Sequence, residues 1–297
     1  MTNVTSNNLV TIVIVIYKEP FALIKKTLEE IKNFNKIIID NSGDEIMERK
    51  IKSEFSIDTY ILNKKNNGFS GGYNQGIKLC KSELTMVLGP DCVILEKYIK
   101  LLVEKLGIYK NALIVSPTSY DEEKNLSYAG GPLPEFDKKK IILNISGDTC
   151  VNSTLGACML FRTKDIINYN LYFDENFFLY FSDDDLCRRI RKINKSIIQI
   201  FDAKCFHQHG NLKIKNIYLK IFIREYNFFF DQLYYFYKDS IHHNLIKTFK
   251  KKIPKLLFRI LIKLILFQFK DVTKNFSRIL AYYKFKKKFL RRDGRVV

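Results

Sequence analysis

The chain has 297 residues, of which 46% are hydrophobic, so it is long and apolar enough to bury a sizeable core, and global disorder is excluded. The length suits one large domain with an appendage, or two domains. Its six cysteines include no C-x-x-C pair, which excludes the disulfide framework of a small secreted domain and predicts buried free thiols. The formal net charge of the chain is +19.

The first hundred residues alternate β-branched runs with helical patterns. Residues 10–17, VTIVIVIY, form a continuous apolar run typical of a strand buried on both faces. Further strands are predicted at 36–39, 59–62 and 84–88, and helices at 20–31, 45–55, 73–80 and 95–107. This alternation predicts an α/β fold with a Rossmann-like, mostly parallel sheet flanked by helices. The polar N-terminus and the short first apolar run predict a cytoplasmic protein without a signal peptide.

Polar and glycine residues follow four of these strands. They occupy positions 17–19, 40–41, 66–68 and 89–91. Each group alone is typical of a turn. Ligands of such sheets bind beyond the carboxyl ends of the strands, so four such groups in register predict a ligand crevice.

The middle of the chain loses this regular alternation. Residues 117–148 are predicted as loops and an edge hairpin. Gly156 and Ala157 are small, and small residues there would let a substrate approach the backbone. Strands are predicted at 112–116, 158–161 and 196–201.

A run of three aspartates follows an aromatic stretch. Asp183, Asp184 and Asp185 begin a predicted helix, where carboxylates favour the positive end of the helix dipole. Like charges this close in apolar surroundings should raise the pKa of at least one of them, and of Asp183 above all. His207 and His209 follow the next predicted strand. The run is either part of a reactive site or an acidic helix cap, and the histidines are either ligands or surface residues.

The positive charge lies in the last part of the chain. Residues 211–297 hold 22 Lys and Arg against 5 Asp and Glu, whereas residues 1–210 hold 28 against 26. We therefore predict a near-neutral domain over residues 1–210 and a basic, amphipathic, helical, membrane-associating region over residues 211–297. Basic regions of this kind bind nucleic acid, acidic lipid or an acidic protein partner.

Two helices are predicted in the basic region, an aromatic one at 212–237 and another that begins at Pro254. In the second, Lys255, Arg259 and Lys263 recur every four residues and line one face, and apolar residues fill the remainder. No run is apolar for long enough to span a membrane. The helix either lies in the interface of an anionic membrane or packs on the domain with a solvated basic face.

Together the motifs resemble the inverting glycosyltransferases of family 2, which have the GT-A fold. The branch looks like the rhamnosyltransferase-like enzymes of bacterial surface-polysaccharide synthesis. The resemblance covers residues 10–210. It rests on VTIVIVIY, DNS, NNGFSGGYNQG, GPDC, GACMLFR, FDENFFLYFSDDDLCRR and FHQHG.

The resemblance implies a donor site for a dTDP- or UDP-linked sugar. Tyr17 and Glu19 match the positions that flank the nucleotide base, and Asp40 matches the aspartate that binds the edge of the base. Asn66 and Gly68 match the N-x-G that shapes the donor pocket.

The resemblance also implies a divalent cation, Mg²⁺ or Mn²⁺. Asp91 matches the last acid of the D-x-D metal motif, and His207 matches a histidine that binds the metal in some relatives. Gly89 stands where related enzymes often have the first acid of that motif. Metal binding would then rely on Asp91, the donor diphosphate, water and His207, which Mg²⁺ accepts because it takes few protein carboxylates.

The aspartate run matches the catalytic acids of the family. Asp183 matches the acid taken as general base, and Asp185 matches the last acid of E-D-x-D. Ser182 stands where the family usually has Glu, so the base is Asp183 or Asp184, and we favour Asp183.

The implied function is transfer of rhamnose or a hexose to a lipid-linked saccharide in O-antigen, capsule or other glycan assembly. The enzyme would be peripheral on the inner face of the cell membrane. Gly89 and Ser182 suggest one alternative, a non-catalytic GT-A scaffold. The basic region suggests a second, a nucleic-acid-binding protein, but the chain shows no pattern of a known nucleic-acid module, so we predict no nucleic-acid partner.

Overall fold

The computed structural model describes residues 9–128, 131–134, 145–208, 214–238 and 243–290. The polar N-terminus, His209 and part of the predicted loop region 117–148 lie outside these residues. The chain divides into two compact units, residues 1–175 with 182–213 and residues 176–181 with 214–297. Each unit is described by itself.

The first unit is a sheet with helices. Its strands are β1 (Val10–Ile16), β2 (Asn35–Asp40), β3 (Thr59–Leu62), β4 (Leu84–Leu88), β5 (Cys92–Ile94), β6 (Ala112–Tyr120), β7 (Leu126–Tyr128), β8 (Thr149–Cys150), β9 (Cys158–Arg162) and β10 (Ser196–His207). Its helices are α1 (Phe21–Glu30), α2 (Glu45–Glu54), α3 (Gly68–Ile77), α4 (Glu96–Ile108), α5 (Thr163–Asn168) and α6 (Ser182–Lys192).

The sheet is parallel in its first half and mixed in its second. Its strand order is β3-β2-β1-β4-β9-β6-β10-β5. Strands β3, β2, β1 and β4 run parallel, whereas β9 lies antiparallel between β4 and β6. Leu88 at the end of β4 pairs with Cys158 at the start of β9. The residues that follow β1, β2 and β4 and those that precede β9 therefore share one edge, where the ligand crevice is predicted.

Helices cover both faces of this sheet. Ile12 and Ile14 of β1 belong to a core cluster with side chains of α1, α2 and α4, and Val13 belongs to a second cluster with side chains of α3, α5 and α6. All three β1 side chains are fully buried. The α/β fold and the strand buried on both faces are therefore confirmed.

Several boundaries differ from the sequence prediction. Helix α3 begins at Gly68 and not at residue 73, because Asn66 Oδ1 accepts the Gly68 N–H at 2.8 Å and Gly68 adopts a φ of +71°. Strands β6 and β10 continue past their predicted ends because they pair with each other as far as Tyr120 and Phe206. Strands β5 and β8 and helix α5 were not predicted, since such short elements show no usable periodicity.

The described residues of the second unit form three helices, α7 (Ile217–Lys238), α8 (His243–Ile265) and α9 (Phe269–Phe285), and a π-helical turn at Lys286–Leu290. Its core is largely aromatic. The prediction that Pro254 starts a helix is wrong, since Pro254 lies inside α8. Pro254 and Lys250 are both exposed, so water can reach the carbonyl that this proline leaves without its helical bond.

A short segment from the aspartate region belongs to this second unit. Asp231 of α7 is fully buried and accepts the backbone N–H groups of Phe178, Leu179 and Tyr180 at 3.0, 2.9 and 2.9 Å. Burial raises the pKa of Asp231 to about 6, although the three N–H groups oppose the shift. Residues 176–181 are thus held by α7, whereas the residues on either side of them belong to the first unit.

No helix in the described ranges combines the length and apolar character that are needed to cross a bilayer.

Candidate active site

Glu19 follows β1, and its side chain is directed back toward the backbone of Tyr17. Lys18 adopts a left-handed φ of 61°, and the Glu19 carboxylate accepts the Tyr17 N–H. Burial, with smaller contributions from the charges of Asp91 and Asp40, raises the pKa of Glu19 to about 7, against two backbone N–H groups that lower it. Glu19, Asp40 and Asp91 therefore lie within electrostatic reach of one another at the carboxyl edge of the sheet.

Asp40 ends β2 and is fully buried. Its Oδ1 accepts the Ser42 N–H at 2.7 Å and the Ser42 hydroxyl at 2.6 Å, and its Oδ2 accepts the Tyr60 hydroxyl at 2.7 Å. Burial and this bond to Asp40 raise the pKa of Tyr60. Asp40 thus holds the loop after β2, and both of its oxygens already accept hydrogen bonds within the protein.

The N-x-G sequence starts helix α3. Besides the bond from the Gly68 N–H to Asn66, the Asn41 side-chain amide donates to the Gly68 carbonyl at 3.0 Å and joins the loop after β2 to this helix. A Cβ at Gly76 would lie 2.3 Å from Val13 Cγ1 of β1, and one at Gly72 would lie 2.7 Å from Val15 Cγ1. Only glycine lets α3 lie this close to β1, so the start of α3 is fixed at the edge of the sheet.

Asp91 and His207 meet at the other side of the crevice. Asp91 Oδ1 lies 3.3 Å from His207 Nε2, and the Gln208 N–H donates to the Asp91 carbonyl at 2.9 Å. Two neighbouring ligands of one octahedral ion at about 2.1 Å would be about 3 Å apart, so this pair fits a shared divalent cation. Imidazole is a common ligand of transition metals, and carboxylate is a ligand of both Mn²⁺ and Mg²⁺.

Gly89, which stands at the first acid of the D-x-D motif, lies beside the Asp91 carboxylate. A Cβ at this position would lie 3.0 Å from Asp91 Oδ1. The Cys92 N–H donates to the Gly89 carbonyl at 3.1 Å and closes a tight turn. The Asp91 carboxylate therefore lies against the space that a side chain at position 89 would need.

Gly156 and Ala157 connect Asp91 with the aspartate run. The Gly89 N–H donates to the Ala157 carbonyl at 2.8 Å, and the Gly156 N–H donates to Asp183 Oδ2 at 2.9 Å. A Cβ at Gly156 would lie 2.8 Å from Phe69 Cζ and 3.2 Å from Asp183 Cβ. The small residues predicted to admit a substrate thus place Asp183 beside the turn that carries Asp91.

The three aspartates of α6 have different surroundings. Asp183 Oδ1 also accepts the Asp184 N–H at 3.1 Å, and Asp184 Oδ1 accepts the Ser153 hydroxyl at 2.6 Å. Asp185 is fully buried and pairs with Arg188 at 3.2 Å and Arg189 at 3.0 Å. Asp183 and Asp184 therefore lie by the loop before β9, whereas Asp185 anchors its own helix.

Ser182 has a structural partner. Its hydroxyl lies 2.7 Å from the Ser70 hydroxyl of α3, and both serines are buried. The bond joins the first turn of α6 to the first turn of α3. From the sequence, Ser182 was recognised only as a serine in the place of an acid. Its partner could not be predicted, because two residues 112 positions apart leave no local signal.

Three buried thiols lie close to the Asp91–His207 pair in the sequence. The Sγ atoms of Cys92, Cys158 and Cys205 all lie within 4.8 Å of one another. All six cysteines are free, and Cys187 is also buried. The prediction of free rather than disulfide-bonded cysteines is confirmed.

The fold is that of an α/β protein, with Glu19, Asp40 and Asp91 at the carboxyl edge of its sheet, where the ligand site is predicted. The profile of glycosyl transferase family 2 matches residues 11–169, which is more than half of the chain. The chain therefore belongs to glycosyl transferase family 2.

A curated relative is the low-salt glycan biosynthesis hexosyltransferase Agl10 of Haloferax volcanii. It is 29% identical over 199 residues, which cover 60% of this chain and 63% of the relative. A solved structure of GalNAc-T7 with UDP, GalNAc and Mn²⁺ has a TM-score of 0.57 at 12% identity and covers 70% of this chain and 45% of that protein. This second likeness shows the fold alone, which is GT-A-like.

Proposed function

We propose that the protein is an inverting glycosyltransferase that uses a nucleotide-diphosphate sugar. The observation that carries the proposal is the link through Gly156 and Ala157, which brings Asp183 beside the Asp91 turn. Direct transfer needs a base for the acceptor and a site for the leaving diphosphate within reach of one sugar. Family membership supports the same reaction class.

In the proposed reaction the acceptor hydroxyl attacks the anomeric carbon of the donor. A new carbon–oxygen bond forms there, the bond to the diphosphate oxygen breaks, and the nucleoside diphosphate leaves. Asp183 takes the proton of the acceptor hydroxyl, and the Gly156 N–H keeps its carboxylate in place. Attack opposite the leaving group inverts the anomeric centre.

Asp91 and His207 would hold the divalent cation, which when bound supplies positive charge to the leaving diphosphate. Tyr17 and Glu19 would border the nucleotide base, and Asn66 with Gly68 would shape the donor pocket from the start of α3. Asp40 would help to position the nucleotide base, through the loop after β2 that it holds.

The proposed function also specifies a donor sugar, an acceptor and a location in the cell. The donor sugar is rhamnose or a hexose linked to dTDP or UDP, and the hexosyltransferase named above supports a hexose. The acceptor is a lipid-linked saccharide of O-antigen, capsule or another glycan. The 14 Lys and Arg of residues 243–290, against one acid, support work at the inner face of an anionic membrane. A mass-spectrometric screen of nucleotide sugars with the purified protein would identify the donor.

Paired variants test the assignment of the base. Asp183→Asn cannot accept a proton, so transfer should fall by about 10² to 10⁴, the usual contribution of a general base. Asp184→Asn is the matched control, because it sits one position away and should cost much less. Donor affinity should stay nearly unchanged in both. Sugar transfer and donor binding should be measured for each variant.

The outcomes separate the alternatives. An inactive Asp184→Asn beside an active Asp183→Asn would move the base to Asp184. Activity in both would leave the aspartate run as a helix cap. If the parent protein neither transfers sugar nor hydrolyses any screened donor, with or without Mn²⁺, it is a non-catalytic scaffold.

A further inference from the structure

Helix α8 carries an uncovered apolar surface. Phe258 is 62% exposed, Ile265 is 68% exposed, and Phe267 just beyond the helix is 78% exposed. At about 100° per residue the exposed apolar residues of α8 fall within about 160° of its circumference. We call this surface the apolar face of α8. It consists of Leu257, Phe258, Leu261, Ile262, Leu264 and Ile265, all of which are exposed.

A different side of α8, next to the apolar face, packs inside the second unit. Phe249 contacts Phe229 of α7 with ring centroids 4.3 Å apart and Tyr282 of α9 at 5.3 Å, and Ile253 is buried. The helix is therefore fixed without using its apolar face. An exposed contiguous apolar surface of this kind marks an interaction site.

The turn after α8 supports the same conclusion. The Gln268 N–H donates to the Lys263 carbonyl at 2.8 Å and ends the helix, and Phe267 adopts a left-handed φ of 54°. Glycine or asparagine normally occupies such a position. A large apolar side chain is thus held outward in a disfavoured backbone conformation, which is the kind of local strain found at functional sites.

Charge identifies the partner. Lys252, Lys255, Arg259 and Lys263 lie together on the side of α8 that borders the apolar face. Asp271 is the one acid among residues 243–290. A protein partner would need a surface both apolar and acidic, whereas an anionic bilayer offers both properties along its whole surface.

We propose that the apolar face of α8, together with Phe267, inserts into an anionic bilayer with the helix lying in the plane of the membrane. The proposal rests on the proposed function, since it names the surface on which a lipid-linked acceptor would be met. The apolar side chains would reach about 5 to 10 Å into the acyl boundary, and the basic side would meet the lipid phosphates. Of the two alternatives left open by the sequence, the proposal adopts the one in which the helix lies in the interface of an anionic membrane.

The absence of tryptophan from the chain allows a direct test. Phe258→Trp and Phe267→Trp each introduce a single tryptophan on the proposed surface, and its emission is excited separately from that of the tyrosines. Ile167→Trp, on α5 of the first unit, is the matched control because Ile167 is 63% exposed. The full-length variants should be mixed with phosphatidylcholine vesicles with and without phosphatidylglycerol, and with the same lipids carrying bromine on their acyl chains.

We expect blue-shifted emission and bromine quenching at positions 258 and 267 and neither at 167. Each basic residue near the surface contributes about fivefold, so with four such residues on α8 omitting phosphatidylglycerol should weaken binding by about 100-fold or more. Phe258→Glu should weaken vesicle binding by about tenfold or more, and Ile167→Glu should not.

Other outcomes would overturn the proposal. Vesicle binding without quenching at 258 would mean that charge alone holds the protein. A blue shift that grows with protein concentration in the absence of lipid would mean that a second copy covers the face. Quenching at 267 but not 258 would mean that only the turn inserts. Hydrolysis of the donor sugar in the absence of vesicles measures the proposed enzyme activity separately. Failure of the membrane proposal can therefore be distinguished from failure of the proposed glycosyltransferase function.

Discussion

Glu19 offers a test of the acid cluster that needs no substrate. Its pKa is raised to about 7 in the folded protein from an ordinary value of 4.5. Below pH 4.5 the group is protonated in both states and has no effect on stability. Between pH 4.5 and 7 only the unfolded chain releases the proton, so stability falls as the pH rises, and above pH 7 the loss is complete.

The size of the effect follows from the shift. At about 1.4 kcal/mol per pKa unit, ionised Glu19 costs the folded state at most about 3 kcal/mol at pH 8. Glu19→Gln removes the charge and keeps an oxygen that can accept the Tyr17 N–H. The variant should therefore be more stable than the parent at pH 8, by up to about 3 kcal/mol, and nearly equal to it at pH 5.

Urea unfolding at pH 5, 6, 7 and 8 measures this difference. Glu29→Gln, which changes an exposed glutamate of α1, is the matched control and should stay within about 0.5 kcal/mol of the parent at each pH. Addition of Mn²⁺ with a nucleoside diphosphate should shrink the gain at pH 8, because positive charge near Asp91 offsets the repulsion. A gain of equal size at pH 5 and pH 8, or no gain at pH 8, would refute the account of the cluster.

Two further substitutions test other parts of the site. Asp91→Ala should weaken metal-dependent donor binding by about 10- to 100-fold while the protein stays folded. Calorimetry with Mn²⁺ and nucleoside diphosphate measures this loss, and an unchanged affinity would show that Asp91 is not a metal ligand. Gly156→Ala should lower the rate of transfer by about tenfold or more, because the new Cβ would lie 2.8 Å from Phe69 Cζ and 3.2 Å from Asp183 Cβ. An unchanged rate in steady-state transfer assays would mean that the Gly156–Asp183 contact does not position the base.

The sequence predicted those parts of the fold that repeat locally. The β-branched run of β1 identified a strand buried on both faces, and the polar groups after β1, β2 and β4 identified the edge that holds Glu19, Asp40 and Asp91. Local patterns suffice there because each element carries its own periodicity.

The remainder of the site depends on contacts between distant residues. The bond between Ser70 and Ser182, the packing of Gly76 on Val13 and the Asp231 contacts join segments that no spacing rule relates. A strand as short as β5 also escapes prediction, although it pairs with the end of β10 at His207. Such features appear only when the strands have been assembled.

The position of Asp231 has a consequence for how this protein can be shortened or recombined. The chain leaves the first unit after Glu175, contributes six residues to the second, and returns at Ser182, one residue before Asp183. A protein cut after residue 213 keeps those six residues but loses the carboxylate that receives three of their N–H groups, each of which costs about 1 to 3 kcal/mol if it is left buried and unsatisfied. The two units are therefore interleaved and not modular, and an exchange of C-terminal helices between relatives would have to carry the matching segment 176–181 with it.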